Sequence, residues 1–195
     1  MRYLSLILIR PFLRIKYIGK ENITKNGKLI ICSNHISLLD PVIIAMGVRR
    51  HIFFMAKSEF FTDKGFFVKY FMKLVGAFPV KRSTADLHSV SDAASLLNQN
   101  KQVGIFPQGR IVNDNTSFEL KAGAALLAVK TNAPIIPVSI YCENKIRPFS
   151  KITVTFGESI VPNQNDGKQS VKSARKLTQK IKEQISAQLE AKHCQ

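Results

Sequence analysis

A histidine, a hydroxyl and a carboxylate stand together in one short stretch, Ser33-Asn34-His35-Ile36-Ser37-Leu38-Leu39-Asp40-Pro41. Asp40 follows His35 by five residues, so a tight turn can return the carboxylate to one ring nitrogen. Such a pair fixes the imidazole tautomer and leaves the second nitrogen free as a general base near neutral pH. The chemistry on offer is the removal of a proton from an attacking group. A structural histidine beside a helix N-terminal acid would use the same residue types, and the stretch by itself leaves both readings open.

The elements around it supply the position. Leu29 to Cys32 is an unbroken apolar run that reads as a buried strand, and Val42 to Met46 reads as the apolar face of a helix. The histidine therefore lies where a strand ends and a helix begins, the usual place for a site in an open α/β sheet. Further strands are expected at Ile15–Gly19, His51–Lys57, Gly76–Arg82, Gln102–Phe106, Ala133–Ile140 and Lys151–Phe156. Pro137, near the middle of one of them, predicts an irregular strand or a sheet edge. Helices are expected over the Phe- and Met-rich stretch 60–75, over Ala85–Leu97 capped by Thr84, and over Lys121–Val129. Val171, Ala174, Leu177, Ile181, Ile185 and Leu189 recur at helical spacing, which predicts a long amphipathic helix over 168–192 with a basic outer face. Strands alternating with helices give one α/β domain over 1–195, its mixed, largely parallel sheet flanked by helices.

Charge narrows the partners. The chain has 29 Lys and Arg against 13 Asp and Glu, a formal net charge of +16. A surplus of that size calls for a polyanion: nucleic acid, an anionic membrane face or an acidic carrier. Nucleic acid is not expected, because the cations are interleaved with aliphatic and phenylalanine runs and form no single basic stripe. Residues 1–15 set an apolar stretch between Arg2, Arg10 and Arg14, too short to span a bilayer and suited either to lying in its headgroup region or to packing on the core as an N-terminal helix. Lys69 and Lys73 on the 60–75 helix fit a membrane surface, or a buried helix whose lysines snorkel out to solvent, and the sequence does not separate the two. Cys32, Cys142 and Cys194 make no metal or redox motif, and their odd number suggests free thiols on the reducing, cytoplasmic side. The histidines show no metal-binding pattern either, so neither metal nor cofactor is implied.

Asn34-His35-Ile36-Ser37-Leu38-Leu39-Asp40 resembles the NHxSxxD box of the glycerolipid acyltransferases, best known as 1-acylglycerol-3-phosphate O-acyltransferases. Three further blocks follow in the family's order. Gly76, Phe78 and Arg82 fall on its second block, and Phe106-Pro107-Gln108-Gly109-Arg110 is similar to the third, FPEGTR. The strand containing Pro137 resembles the fourth. Two departures stand out: Gln108 replaces the family's glutamate, and the threonine before Arg110 is missing. That contraction moves the arginine by up to about 3.5 Å along the chain.

The resemblance implies direct acyl transfer from a thioester to the free hydroxyl of lysophosphatidic acid, giving phosphatidic acid, with acyl-CoA or acyl carrier protein as donor. It makes His35 the base and Asp40 its orienting partner, and gives substrate-binding roles to Asn34, Ser37, Lys81, Arg82, Gln108, Gly109 and Arg110. Lys81, Arg82 and Arg110 would hold the acceptor phosphate. Backbone amides near the histidine box could stabilise the oxyanion, though no sequence shows which. Two rival readings remain. One is a relative with another lysolipid or an amino-lipid as acceptor, motivated by the altered third block. The other is a non-catalytic basic protein that binds membranes or nucleic acid.

Overall fold

The structure is a computed structural model that describes residues 10–57, 77–80, 87–112, 119–162 and 170–193. Seven strands form one sheet: β1 (Arg14–Ile18), β2 (Leu29–Ser33), β3 (Ile52–Lys57), β4 (Ala77–Val80), β5 (Gln102–Ile105), β6 (Ile135–Cys142) and β7 (Lys151–Phe156). Their order is β1-β7-β6-β2-β5-β3-β4. Every pairing between these seven strands is parallel except β6 with β7, so the expected mixed, largely parallel sheet is present. The helices are α1 (Asp40–Gly47), α2 (Leu87–Asn98), α3 (Gly123–Thr131) and α4 (Ser170–His193).

Burial on both faces explains the composition of the inner strands. All five residues of β2 are buried, as its continuous apolar run requires of a central parallel strand. Ile30 and Cys32 face one core with Val103 and Ile135, covered by α2, α3 and α4. Leu29 and Ile31 face the other with Ile136, Val138 and Ile140, covered by Ile43 and Ile44 of α1. The long α4 buries Ala174, Leu177, Ile181, Ile185 and Leu189 as its periodicity predicts, but Val171 stays exposed at its first turn. Its apolar stripe begins one turn later than expected.

Three further expectations change in detail. Pro137 marks no edge, because β6 lies between β2 and β7. The irregularity is real, however. Val138 pairs with Phe156 while Ile135 bridges Ile160, so the segment leaving β7 has one extra residue between these points, a bulge. The carbonyl of Pro137 accepts the Gly157 N–H at 2.8 Å just past the β7 ladder, where the missing proline donor is not needed. Helix α3 starts at Gly123 instead of Lys121: its first helical bond runs from the Leu126 N–H to the Ala122 carbonyl at 2.8 Å, and the Lys121 N–H, ahead of it, donates to the Pro107 carbonyl at 3.1 Å. In the 1–15 segment Leu13 is buried in the core, and Arg14 and Ile15 begin β1. The 60–75 helix, the Thr84 cap, residues 1–9, Lys81, Arg82 and Cys194 lie outside the described residues.

Candidate active site

The site is assembled past the C-terminal end of β2. There the chain leaves the strand, but Asn34 keeps it tied to β6. Its Nδ2 donates to the Ile140 carbonyl at 2.9 Å, and its Oδ1 accepts the Ile140 N–H at 2.7 Å. The side chain thus extends the sheet by one backbone-like rung. It is buried with both ends of its amide engaged, so the expected substrate contact is replaced by a structural one.

Residues 35–40 then turn into α1. Pro41 suits the first turn of a helix, where its missing N–H costs nothing, and Asp40 gains from the positive end of the helix dipole. The Asp40 carboxylate closes the turn. Its Oδ2 faces His35 Nδ1 at 2.7 Å and accepts the N–H groups of Ile36 at 2.7 Å and Ser37 at 2.8 Å. An oxygen already accepting two N–H bonds takes a third donor readily, so the ring proton belongs on Nδ1 and Nε2 keeps its lone pair. Nε2 has no hydrogen-bond partner among the described residues.

Asp40 is fully buried, and its Oδ1 has no partner among the described residues. Burial pushes its carboxyl above the 3.8 of an unperturbed aspartate. The His35 hydrogen bond and charge and the two backbone amides pull the other way without cancelling it. The Cys32 thiol of β2, in the core on the opposite face of the sheet, is pushed up to about 12 by burial and stays neutral.

The third block closes over the histidine from β5. The Phe106 ring stacks on the imidazole, centroids 4.1 Å apart and planes 19° apart, and Phe54 of β3 stacks on Phe106 at 5.7 Å. Room for Phe54 comes from Gly104, where any Cβ would collide with that ring. Gly109, at φ 71°, turns the loop, its N–H donating to the Phe106 carbonyl at 3.0 Å. Gln108 Oε1 then accepts the backbone N–H of His35 at 2.6 Å, and the Val112 N–H donates to the His35 carbonyl at 2.8 Å.

Several expectations can now be placed. His35, Asp40, Gln108 and Gly109 come together, and Arg110 stands exposed on the same loop. The Ser37 hydroxyl accepts the Leu39 N–H at 3.2 Å, steadying the turn. The amides of residues 35, 36 and 37 are all committed to the side chains of Gln108 and Asp40. Neither the stacked Phe106 nor the Gln108 bond to His35 is visible in the sequence. The Phe-Pro-x-Gly turn placed them at a strand end, but nothing in it said which residue they would meet. Among the described residues no cluster of His, Cys, Asp or Glu could hold a metal.

The sequence model of the Acyltransferase family matches residues 14–141, which include every residue of this site. The chain belongs to the Acyltransferase family. It is 31% identical over 126 residues to the 1-acyl-sn-glycerol-3-phosphate acyltransferase of Bacillus subtilis, covering 64% of this chain and 61% of that protein. It is 27% identical over 152 residues to the enzyme of that name from Borreliella burgdorferi, covering 72% and 60%. The matches thus span about three-fifths of these relatives. Among solved structures it resembles the 1-acyl-sn-glycerophosphate acyltransferase of Thermotoga maritima, with a TM-score of 0.74 at 21% identity. That likeness covers 100% of this chain and 77% of the other, and it concerns the fold.

Proposed function

We propose that the chain transfers a fatty acyl group from acyl-CoA or acyl carrier protein to the free hydroxyl of lysophosphatidic acid, giving phosphatidic acid. The observation that carries this reading is the His35 Nδ1–Asp40 Oδ2 pair at 2.7 Å, with Nε2 left to take a proton. Nε2 removes the hydroxyl proton as the oxygen attacks the thioester carbonyl. The new C–O ester bond forms, the C–S bond breaks, and the imidazolium returns its proton to the leaving thiolate. Asp40 holds the ring and balances the imidazolium charge. Arg110, exposed on the third-block loop, and Lys81 and Arg82 of the second block are the cations assigned to the acceptor phosphate. Membership of the family and the names of its relatives support the choice of acceptor.

Purified protein should acylate lysophosphatidic acid with at least one of the two donors. Monoacylglycerol, which lacks the phosphate, should be the poorer acceptor by about tenfold or more, from loss of charge-assisted bonds. Preference for monoacylglycerol, or no transfer to lysophosphatidic acid from either donor, would reject the assignment.

The acceptor lives in a membrane, and the fold offers a surface for one on the side of His35. Phe12 and Phe149 are 53% and 59% exposed and touch each other, their ring centroids 6.1 Å apart. Exposed Arg14, Lys145, Arg147 and Lys151 lie around them, against one acid, Glu143. The β6–β7 turn and the start of β1 bring this patch to the end of the sheet that holds His35. Among the described residues no helix is long and apolar enough to cross a membrane. The aromatic pair and the cations around it support peripheral docking on an anionic membrane face. The double variant Phe149→Ser, Arg147→Gln should float less with anionic liposomes than the parent, and high salt should release the parent. Unchanged flotation in the variant would remove the patch from the docking surface.

A further inference from the structure

We propose that Gln108 is a positioning residue that fastens the third block to His35, and that its amide keeps a second negative charge away from the imidazole. This rests on the reaction proposed above. Three observations converge on it. Gln108 is almost sealed from solvent, and its Oε1 takes the His35 N–H at 2.6 Å. Four residues later, Val112 donates to the carbonyl of the same histidine at 2.8 Å. Between them and β5, Phe106 lies flat on the ring. One loop therefore holds both backbone groups of His35 and one face of its side chain.

The orientation of the amide follows from chemistry. A backbone N–H can only donate, so the atom facing it must be the amide oxygen, and Nε2 occupies the other position. No described residue accepts from that Nε2. A glutamate at 108 would accept the same N–H through one oxygen. Its second oxygen, however, would bring negative charge where the amide brings a neutral donor. Asp40, from α1, already gives the ring one carboxylate, while Phe106 covers it from β5 and Arg110 is the cation on the Gln108 loop. A second carboxylate would stabilise the imidazolium, so the base would be protonated at higher pH. It would also repel a phosphate-bearing acceptor, whereas an amide N–H₂ can donate to phosphate or ester oxygen. Gln108 thus belongs to the support of the base, and its substitution in the family's third block alters charge without losing the bond.

Gln108→Met and Gln108→Glu separate the two halves of the proposal. Met keeps the length but cannot accept, leaving the His35 N–H unpaired. Its kcat should fall on the order of tenfold to a hundredfold with little change in either KM, and the His35 amide proton should lose its hydrogen-bonded chemical shift. Glu should retain that shift and, at high pH, kcat within about threefold. The acid limb of its kcat/KM profile and the NMR titration of the His35 ring should both move to higher pH. Its KM for lysophosphatidic acid should rise more than that for monoacylglycerol. Wild-type kcat with an unmoved His35 amide signal in Gln108→Met would overturn the fastening, whatever Gln108→Glu does. An unmoved His35 titration in folded Gln108→Glu would overturn the charge argument. If no acceptor is acylated but both NMR shifts occur as stated, the proposed reaction fails and the role of Gln108 at His35 stands.

Discussion

His35→Ala should lose acyl transfer by roughly 10²–10⁴-fold, the usual range for removal of a general base. The loss should fall on kcat, because the imidazole acts on the hydroxyl proton and neither substrate relies on it for most of its binding. The surroundings of the ring argue that the protein will still fold. The turn from 35 to 40 is held by Asp40 accepting the Ile36 and Ser37 amides, by Asn34 on Ile140, and by Gln108 and Val112 on the His35 backbone. None of these bonds uses the imidazole. What the variant gives up is the stack on Phe106 and one donor to a buried carboxylate. Single-turnover rates with lysophosphatidic acid, beside a thermal melt, would check both points. A folded variant that transfers at the parental rate would remove His35 from the chemistry.

Much of this arrangement was legible in the sequence, for physical reasons that can be named. The five-residue spacing of His35 and Asp40, set between an apolar strand and a proline-started helix, allows few turns other than the one observed. The strands were legible because runs such as Leu29–Cys32 and the alternating Lys151–Phe156 carry their burial in their composition. The side-chain bonds to distant backbone were not legible. The family resemblance gives Asn34 and Gln108 substrate-binding roles, and nothing in their local sequence shows the backbone groups that they hold. Their partners, Ile140 and the His35 amide, lie 106 and 73 residues away along the chain and are brought near only by the strand order. Local spacing carries no information about such pairs. The bulge at Pro137 was half legible: the proline announced an irregularity, but the bridge between Ile135 and Ile160 decided that it lies inside the sheet.

Asp40→Asn should separate activity from stability more cleanly than any other change in the site. Transfer should drop by roughly 10²–10⁴-fold, because the imidazolium formed during the reaction loses its compensating charge. An asparagine oxygen can still accept the Ile36 and Ser37 amides, so the turn itself should survive. Stability should move the other way. Burial raises the folded-state carboxyl above its ordinary value, so between the two values the folded state binds more protons than the unfolded chain. The contribution of this group is therefore fully present below the ordinary value, and it is lost as pH rises through the raised one. The buried Oδ1 without a described partner has the same consequence, since an ionised carboxylate there is poorly solvated. Urea denaturation midpoints from pH 4 to 8 should fall with rising pH more for the parent than for Asp40→Asn. At neutral pH the variant should be at least as stable as the parent. Parallel pH profiles would show that His35 and the two amides neutralise the cost of burial after all, and a parental transfer rate would end the assignment of Asp40 as partner to the base.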